Sequence, residues 1–326
     1  MKLPSPRGRL SSLLTDWLNG AAVADVAAAS AAVDAMVGDV LTDDDLQISL
    51  WMLYELHFRG FEGVDDRWEW SPEALTIRGK LEARFEARLR ELTRKSVEEV
   101  LAQDRPLPEA LFTFCADFEG PSPSKFLLRE ATLEQLQLFL AHRSVYALKE
   151  ADPTTFVLPR LTGAAKVALA EVQYDEYGSG RAERLHQDMF AATMAACGLA
   201  PTYGRYVGDA PALVLAANNA QSLFGLHRRL RGAGVGHFAA FEATSSQPSR
   251  RYAGGMRRLA VPQVAPAYYD EHVEADSVHE QIAMRDLCGA LADNEPELVA
   301  DIVFGAATCL HLDALAAAEL MQAWAR

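Results

Sequence analysis

A histidine–aspartate–histidine set in the C-terminal part of the chain is the pattern most able to do chemistry. His272, Asp276 and His279 follow one another at spacings of four and three residues in HVEADSVH. An α-helix turns by about 100° per residue, so these three side chains fall on one face of a helix. Imidazole and carboxylate ligands without a thiolate suit iron or manganese, and they also suit zinc. Three glutamates share the stretch, so a solvated charged helix is the alternative interpretation.

A second candidate pair lies in EVQYDEYGSGRAERLHQDMF, where a glycine turn separates two predicted helices. Glu176 ends the first helix and His186 lies in the first turns of the second. The glycines between them permit a sharp bend, which could bring both side chains to one ion. The alternative is a surface carboxylate before a loop and a half-buried histidine.

Two further glutamates follow apolar helical stretches. Glu242 comes directly after GHFAAF, and a carboxylate buried there needs a cation, which could be a metal or an arginine such as Arg250 or Arg251. Glu150 closes the helix that contains LFLAHRSVYALKE, and its alternative role is a solvated residue at a helix end. Four carboxylates and three imidazoles are what two iron ions need with positions left open for O₂ and substrate. The predicted ligands are Glu150, Glu176, His186, Glu242, His272, Asp276 and His279.

The elements that must position these residues are predicted to be helices throughout. Apolar residues recur at spacings of three and four, alanine and leucine are abundant, and alternating β-branched runs are almost absent. Helices are predicted over residues 21–38, 41–58, 71–103 and 127–150. Glycine, serine and proline clusters at residues 232–236 and 245–249, among others, are predicted to divide the rest into shorter helices. We expect residues 1–105 to form a helical extension and residues 106–326 to form the bundle that carries the site.

Bulk properties exclude several classes of function. The formal charge of −14 argues against a nucleic-acid or anionic-membrane partner. The four cysteines form no CxxC pair, which fits a reducing cytoplasm rather than a disulfide frame or a zinc–thiolate site. The first twenty residues contain no continuous apolar stretch of a signal peptide, and no run reaches about 18 apolar residues. A cytoplasmic enzyme is the expectation.

Around the candidate ligands, the sequence resembles the haem-oxygenase-like di-iron oxidases and oxygenases, also called iron-containing redox enzymes. The resemblance implies that Glu176 and His186 come from the first core helix and its following turn, Glu242 from the second, and the H-x3-D-x2-H set from the third. Glu150 matches a further glutamate upstream of the core. The motifs that carry the resemblance are DEYGSGRAERLH (Asp175–His186), FAAFEATSS (Phe238–Ser246) and HVEADSVH (His272–His279).

The resemblance implies an all-α, haem-oxygenase-like bundle that binds two iron ions and no haem, with O₂ as cosubstrate. Glu150 and the wide gap between Glu176 and His186 are similar to the N-oxygenase branch, which implies N-oxygenation of a small amine or amino acid in natural-product biosynthesis. Oxidative C–C or C–H cleavage by the same site is the alternative. We also expect an external electron donor and a homodimer. Tyr174 and Tyr177 are candidate hydrogen-bond donors to the ligands.

Two other classes of protein remain open on the sequence. A ferritin-like di-iron protein needs two Glu-x2-His pairs, which Glu183 with His186 would supply together with an imperfect pair, Asp276 with His279. A metal-free helical binding module would use none of these residues. Haem binding is disfavoured, because His57 is the one early candidate for a proximal ligand. His57 and its acidic neighbours Glu55, Asp65 and Asp66 are predicted to be packing and dimer-contact residues, and the basic cluster at residues 227–231 is predicted to be solvated.

Overall fold

The structure, a computed structural model, describes residues 1–20 and 25–326, except for the side chains of residues 274–277. Over these residues the chain is all-α and contains no strand, which confirms the predicted fold class. In chain order the helices are α1 (Arg9–Leu18), α2 (Val26–Asp34), α3 (Asp44–Glu55), α4 (Pro72–Leu101), α5 (Leu107–Asp117), α6 (Pro123–Arg129), α7 (Leu133–Ala147), α8 (Asp152–Thr155), α9 (Gly163–Glu176), α10 (His186–Ala196), α11 (Ala212–Leu226), α12 (Arg231–Arg258), α13 (Ala267–Gln281), α14 (Ala290–Asn294) and α15 (Val299–Trp324).

Local signals explain where several helices begin. The Asp43 side chain accepts a hydrogen bond from the Leu46 amide and caps α3. Ser71 caps α4 in the same way and is followed by a proline at the first helical position. The predicted helix over residues 127–150 is wrong in one respect: Thr132 and Gln135 form a capping box that starts α7, so the segment is divided between α6 and α7.

The long helix α12 lies at the centre of the bundle and packs against α13 and α15. The predicted breaks at residues 232–236 and 245–249 are wrong, because α12 runs through both. A Cβ atom on Gly236 would lie 1.8 Å from the Ile302 carbonyl oxygen, and one on Gly305 would lie 1.9 Å from the Ala233 carbonyl oxygen. These glycines therefore permit close packing between α12 and α15 instead of ending a helix.

The N-terminal helices share an apolar core with the rest of the chain. Side chains of α1, α3 and α4 pack with those of α11 and with Phe304 and Leu312 of α15 in one continuous cluster. The boundary at residue 105 stays a prediction. The segment Pro296–Trp324, which contains α15, is long and apolar enough to cross a membrane, but 61% of its most apolar window is buried inside the protein. Its packing against α4, α11 and α12 is that of a core helix.

Candidate metal centre

The turn between α9 and α10 brings Glu176 next to His186. Gly178 and Gly180 adopt positive φ angles of 82° and 78°, and a Cβ on Gly178 would lie 2.3 Å from the Arg181 carbonyl oxygen. Only glycine fits this backbone without strain. The turn reverses the chain, and His186 Nδ1 lies 2.9 Å from Glu176 Oε2 with both side chains buried.

His272 on α13 faces Glu150, which lies in the turn after α7. The Nδ1 atom of His272 is 2.7 Å from the Tyr268 carbonyl oxygen, which can only accept a hydrogen bond. Nδ1 therefore donates its proton to this carbonyl, and Nε2 faces Glu150, whose Oε1 lies 3.5 Å away. Metal-binding histidines commonly donate their second ring nitrogen to a backbone carbonyl in this manner, because the bond fixes the tautomer.

His279, two turns further along α13, faces a second pair of carboxylates. Its Nδ1 atom lies 3.5 Å from Glu242 Oε2 on α12 and 3.9 Å from Glu176 Oε1. Its other nitrogen, Nε2, lies 3.3 Å from Asp175 Oδ2. The carboxylate of Asp175 thus orients the ring while Nδ1 points at the two buried acids.

These contacts form two groups of possible ligands that share Glu176. Within each group the candidate ligand atoms lie within 4.8 Å of one another, and every member is buried. Six of the seven predicted ligands are therefore brought together, and the seventh, Asp276, has its side chain outside the described residues. The first group is Glu150, Glu176, His186 and His272, and the second is Glu176, Glu242 and His279.

Unpaired buried atoms in these groups indicate that a cation belongs between them. Glu150 Oε2, Glu242 Oε2 and His279 Nδ1 are buried without a hydrogen-bond partner. Among the described side chains, no lysine or arginine nitrogen lies within 4.0 Å of the carboxylates of Glu150, Glu176 and Glu242. The alternative partners for Glu242 are not available, because Arg250 is exposed and Arg251 donates to Gln247. A buried acid without a cation is costly, so these residues fit metal ions.

The titration behaviour reflects the same crowding of acids and imidazoles. Burial raises the pKa of Glu242, and the nearby Glu176 raises it further, although His279 opposes this. Burial favours neutral His279, but Glu242 and Glu176 outweigh it and raise the pKa of this histidine to about 9. Without a metal, a protonated imidazole thus supplies the positive charge that these carboxylates need.

The two tyrosines predicted as donors to the ligands bond elsewhere. Tyr174 is 59% exposed and donates to the Ser179 carbonyl, and Tyr177 is 39% exposed and bonds to Asp152 and Thr155. Both support the glycine turn from outside. The donor that the sequence analysis missed is Tyr268, whose buried hydroxyl lies 2.7 Å from Glu150 Oε1. Tyr268 lies one helical turn before His272 on α13, so both side chains reach Glu150.

The structure disfavours the ferritin-like arrangement and the early histidine as a haem ligand. Glu183 is exposed, whereas Glu176 is buried beside His186. The ring nitrogens of His57 contact Glu69 and Arg78, so neither nitrogen is directed at a haem site. Within the described residues, the acidic group around His57 forms no cluster of possible metal ligands.

The basic cluster at residues 227–231 is solvated only in part: Arg228 and Arg229 are exposed, as the sequence suggested, but several side chains of the cluster are paired with acids. His227 lies 2.9 Å from Glu82 Oε1, and Arg229 makes two bonds to Glu86 on α4. Arg231 is buried and paired with Glu295. His227 and Arg229 therefore connect α4 to the start of α12, and the paired side chains of the cluster are not free to receive a substrate.

A cavity of about 400 Å³ leads from the surface loop before α6 to Glu150 and His272. Phe139, Tyr146 and Phe241 contribute aromatic walls. The size and the mixed lining are those of a site for a small molecule. The candidate metal centre is thus connected to a space in which a substrate could lie.

Comparison with known proteins identifies the family. A family model described as iron-containing redox enzyme matches residues 137–314, which is more than half of the chain and includes all seven predicted ligands. A search of curated proteins returned no match. The chain belongs to the family of iron-containing redox enzymes.

Proposed function

We propose that this protein is a non-haem di-iron enzyme that activates O₂ to oxidise a small metabolite. The observation that carries the proposal is the pair of buried ligand groups joined by Glu176, with unpaired atoms on Glu150, Glu242 and His279. A single ion would leave one group of acids without a cation. Two ions would satisfy both groups, with Glu176 as the shared carboxylate.

The residues divide between the two ions as follows. Glu150, His186 and His272 would hold the first ion, Glu242 and His279 the second, and Glu176 both. Asp276 is proposed as a further ligand on the α13 face. Iron ions would supply the electrons and the open coordination positions that activate O₂. The chain fixes their spacing, orients His272 and His279 through Tyr268 and Asp175, and buries the centre.

For the reaction we propose N-oxygenation of an amine. Converting an amine to a hydroxylamine consumes one O₂, two electrons and two protons and releases one water, so an external electron donor must supply the electrons. The motif resemblance at Glu150 and at the Glu176–His186 gap supports this choice over C–C or C–H cleavage. Mass spectrometry after turnover under isotopically labelled O₂ distinguishes them: label in an N–O product supports the proposal, and an alkene or shortened chain contradicts it.

Anaerobic titration with Fe(II), followed by Mössbauer spectroscopy, tests the metal centre. We expect two irons per chain in the wild-type protein and a lower stoichiometry in Glu242→Ala and His279→Ala. His272→Ala should also lose iron, since it is a ligand in this scheme and not in a ferritin-like one. Glu183→Ala is the matched control, because Glu183 is exposed and should leave the stoichiometry unchanged. Unaltered iron content in both the Glu242 and His279 variants would defeat the assignment.

A further inference from the structure

The cavity that reaches the candidate metal centre has a positively charged lining away from that centre. Lys125, Arg143 and Arg251 line it, and among its described lining residues Asp313 is the one carboxylate besides Glu150. The chain as a whole carries a formal charge of −14. A local excess of cations in an acidic protein favours an anionic ligand in this space.

Arg143 is the cation best placed to bind such an anion. It lies on α7, and 31% of its side chain remains exposed. Its closest carboxylate among the described side chains is Asp313, with Oδ1 at 3.9 Å from Nη1, which is longer than a hydrogen bond. A guanidinium presents several donors in a planar fork that matches a carboxylate. Tyr252 also forms a hydrogen bond with this guanidinium, and the Phe139 ring centroid lies 5.7 Å from its Cζ. A guanidinium has five N–H donors, which is more than these partners use, so donors remain for a ligand in the cavity.

Unpaired polar atoms on the same cavity wall support a built binding site. The hydroxyl of Tyr269 is buried without a hydrogen-bond partner, and so are both polar atoms of the Asn218 side chain. Both residues are at least nine-tenths buried and line the cavity. Leaving such groups unpaired costs about 1–3 kcal/mol each, so a polar ligand in the cavity would be favoured if these side chains turned to meet it.

The separation of Arg143 and Glu150 along α7 and its following turn determines how long a ligand must be to reach both. Arg143, Tyr146 and Glu150 follow at spacings of three and four residues, so they lie along one side of α7 and its following turn. At 1.5 Å per residue, α7 rises about 6 Å from Arg143 to its last residue, Ala147, and the turn at residues 148–150 adds to the separation from Glu150. Aromatic side chains, including Tyr146 and Phe241 with ring centroids 5.0 Å apart, line the space between them.

We propose that Arg143 binds the carboxylate of a linear substrate whose reacting group lies at the far end, beside Glu150 and His272. The inference rests on the proposed function, because it takes those two residues as the reacting end of the cavity. It narrows the substrate class to ω-functionalised carboxylates. An amine next to the carboxylate would lie at Arg143, away from the metal centre, whereas a terminal amine would reach it.

Calorimetric binding to the metal-free protein tests the proposal. The probes are hexanoate, ω-aminohexanoate and the matched neutral amide, hexanamide. We expect both carboxylates to bind and hexanamide to bind at least about tenfold more weakly, because a hydrogen bond to a charged group is worth roughly 1.5–3 kcal/mol. Arg143→Met should weaken hexanoate binding by about 10- to 100-fold and leave hexanamide binding unchanged.

Two further variants serve as controls for the binding experiment. Arg205→Gln removes an exposed arginine outside the cavity lining and should bind hexanoate like the wild type. Arg143→Lys keeps the charge but loses the fork, so it should retain part of the affinity, and it replaces Arg143→Met if that variant does not fold. Equal affinity for hexanoate and hexanamide would overturn the proposal, and so would tighter Arg143-dependent binding of hexyl phosphate. Because no metal is present, a failed iron titration would leave this result unaffected.

Discussion

Lys149 and Glu150 are adjacent in the chain, yet they belong to two buried charged clusters of opposite character. Lys149 Nζ lies 3.3 Å from Glu55 Oε2, and both side chains are 0% exposed. The Tyr203 hydroxyl donates to the same Glu55 oxygen at 2.7 Å, and the Phe58 ring lies 4.3 Å from Nζ. In this cluster the chain itself supplies the cation and the hydrogen bonds that a buried carboxylate needs.

The cluster around Glu150 lacks such a cation. Its three carboxylates, Glu150, Glu176 and Glu242, are as deeply buried, but their charged partners are imidazoles. Unpaired oxygens remain on two of them. Burial of an acid therefore does not by itself identify a metal site. What distinguishes the two clusters is whether a lysine or arginine completes the charge balance.

We expect the largest loss of stability when one partner is removed from the buried pair of Glu55 and Lys149. Glu55→Gln or Lys149→Met leaves one buried charge without its partner, and we expect each to lower the free energy of unfolding by about 3–5 kcal/mol. Chemical denaturation of the metal-free protein measures this loss. The double variant should recover most of it, because no unpaired charge remains.

Lys166→Met removes an exposed lysine and serves as the matched control, with an expected change within about 0.5 kcal/mol. If Lys149→Met were as stable as this control, the buried ion pair would not be a structural element, and the contrast between the two clusters would not hold.

The sequence predicted the helical class and most of the candidate ligands that the structure brings together, partly because both depend on local spacing. The spacing of His272, Asp276 and His279 places them on one helix face, and the glycine turn permits Glu176 and His186 to meet, although each pattern also fitted surface or half-buried side chains. The sequence could not separate Glu55 from Glu150, since each is a glutamate near the end of an apolar helix. Only the packing of α3 against the turn after α7 shows that Lys149 neutralises the first and not the second.

The helix breaks were wrongly predicted because the sequence does not show packing between distant parts of the chain. The glycines at residues 232–236 resemble a turn signal in the sequence, but their reason is the close contact with α15, a neighbour that is distant in the chain. Tyr268 was missed as a donor to Glu150 for a related reason: the hydrogen bond joins residues 118 positions apart. Non-local contacts of this kind leave no spacing signal in the sequence.

The same isosteric change, from glutamate to glutamine, can be made in the cluster around Glu150, which lacks a lysine or arginine. Without metal, the charged partner of Glu242 is the His279 imidazolium, which can lose its proton when the acid is removed, so we expect Glu242→Gln to change the unfolding free energy by less than about 1 kcal/mol, or to raise it. Free Fe(II) at one hundred times its Kd should stabilise the wild-type protein by about 2.7 kcal/mol for each iron site that it fills.

Glu242→Gln should lose a substantial part of that gain, as measured by anaerobic chemical denaturation with and without Fe(II). Glu55→Gln is the control, because it is expected to be less stable overall and yet to gain from Fe(II) as the wild type does. A loss of 3 kcal/mol or more in metal-free Glu242→Gln would show that His279 balances the charge of Glu242 as firmly as Lys149 balances that of Glu55, and the contrast between the two clusters would not hold.

We expect the smallest effect, a change in iron affinity, from altering Asp175, whose carboxylate orients the predicted ligand His279. Asp175 is partly exposed and lies 3.3 Å from His279 Nε2, so Asp175→Asn should leave the ligands in place but weaken the orientation of the ring. We expect about tenfold weaker binding of the iron that His279 would hold, measured by anaerobic competition with a chelator. Tyr174→Phe is the matched control: its hydroxyl bonds only to the turn at Ser179 and should not change the affinity. Equal losses in both variants would mean that the turn as a whole, rather than the Asp175–His279 contact, sets iron affinity at this end of the cluster.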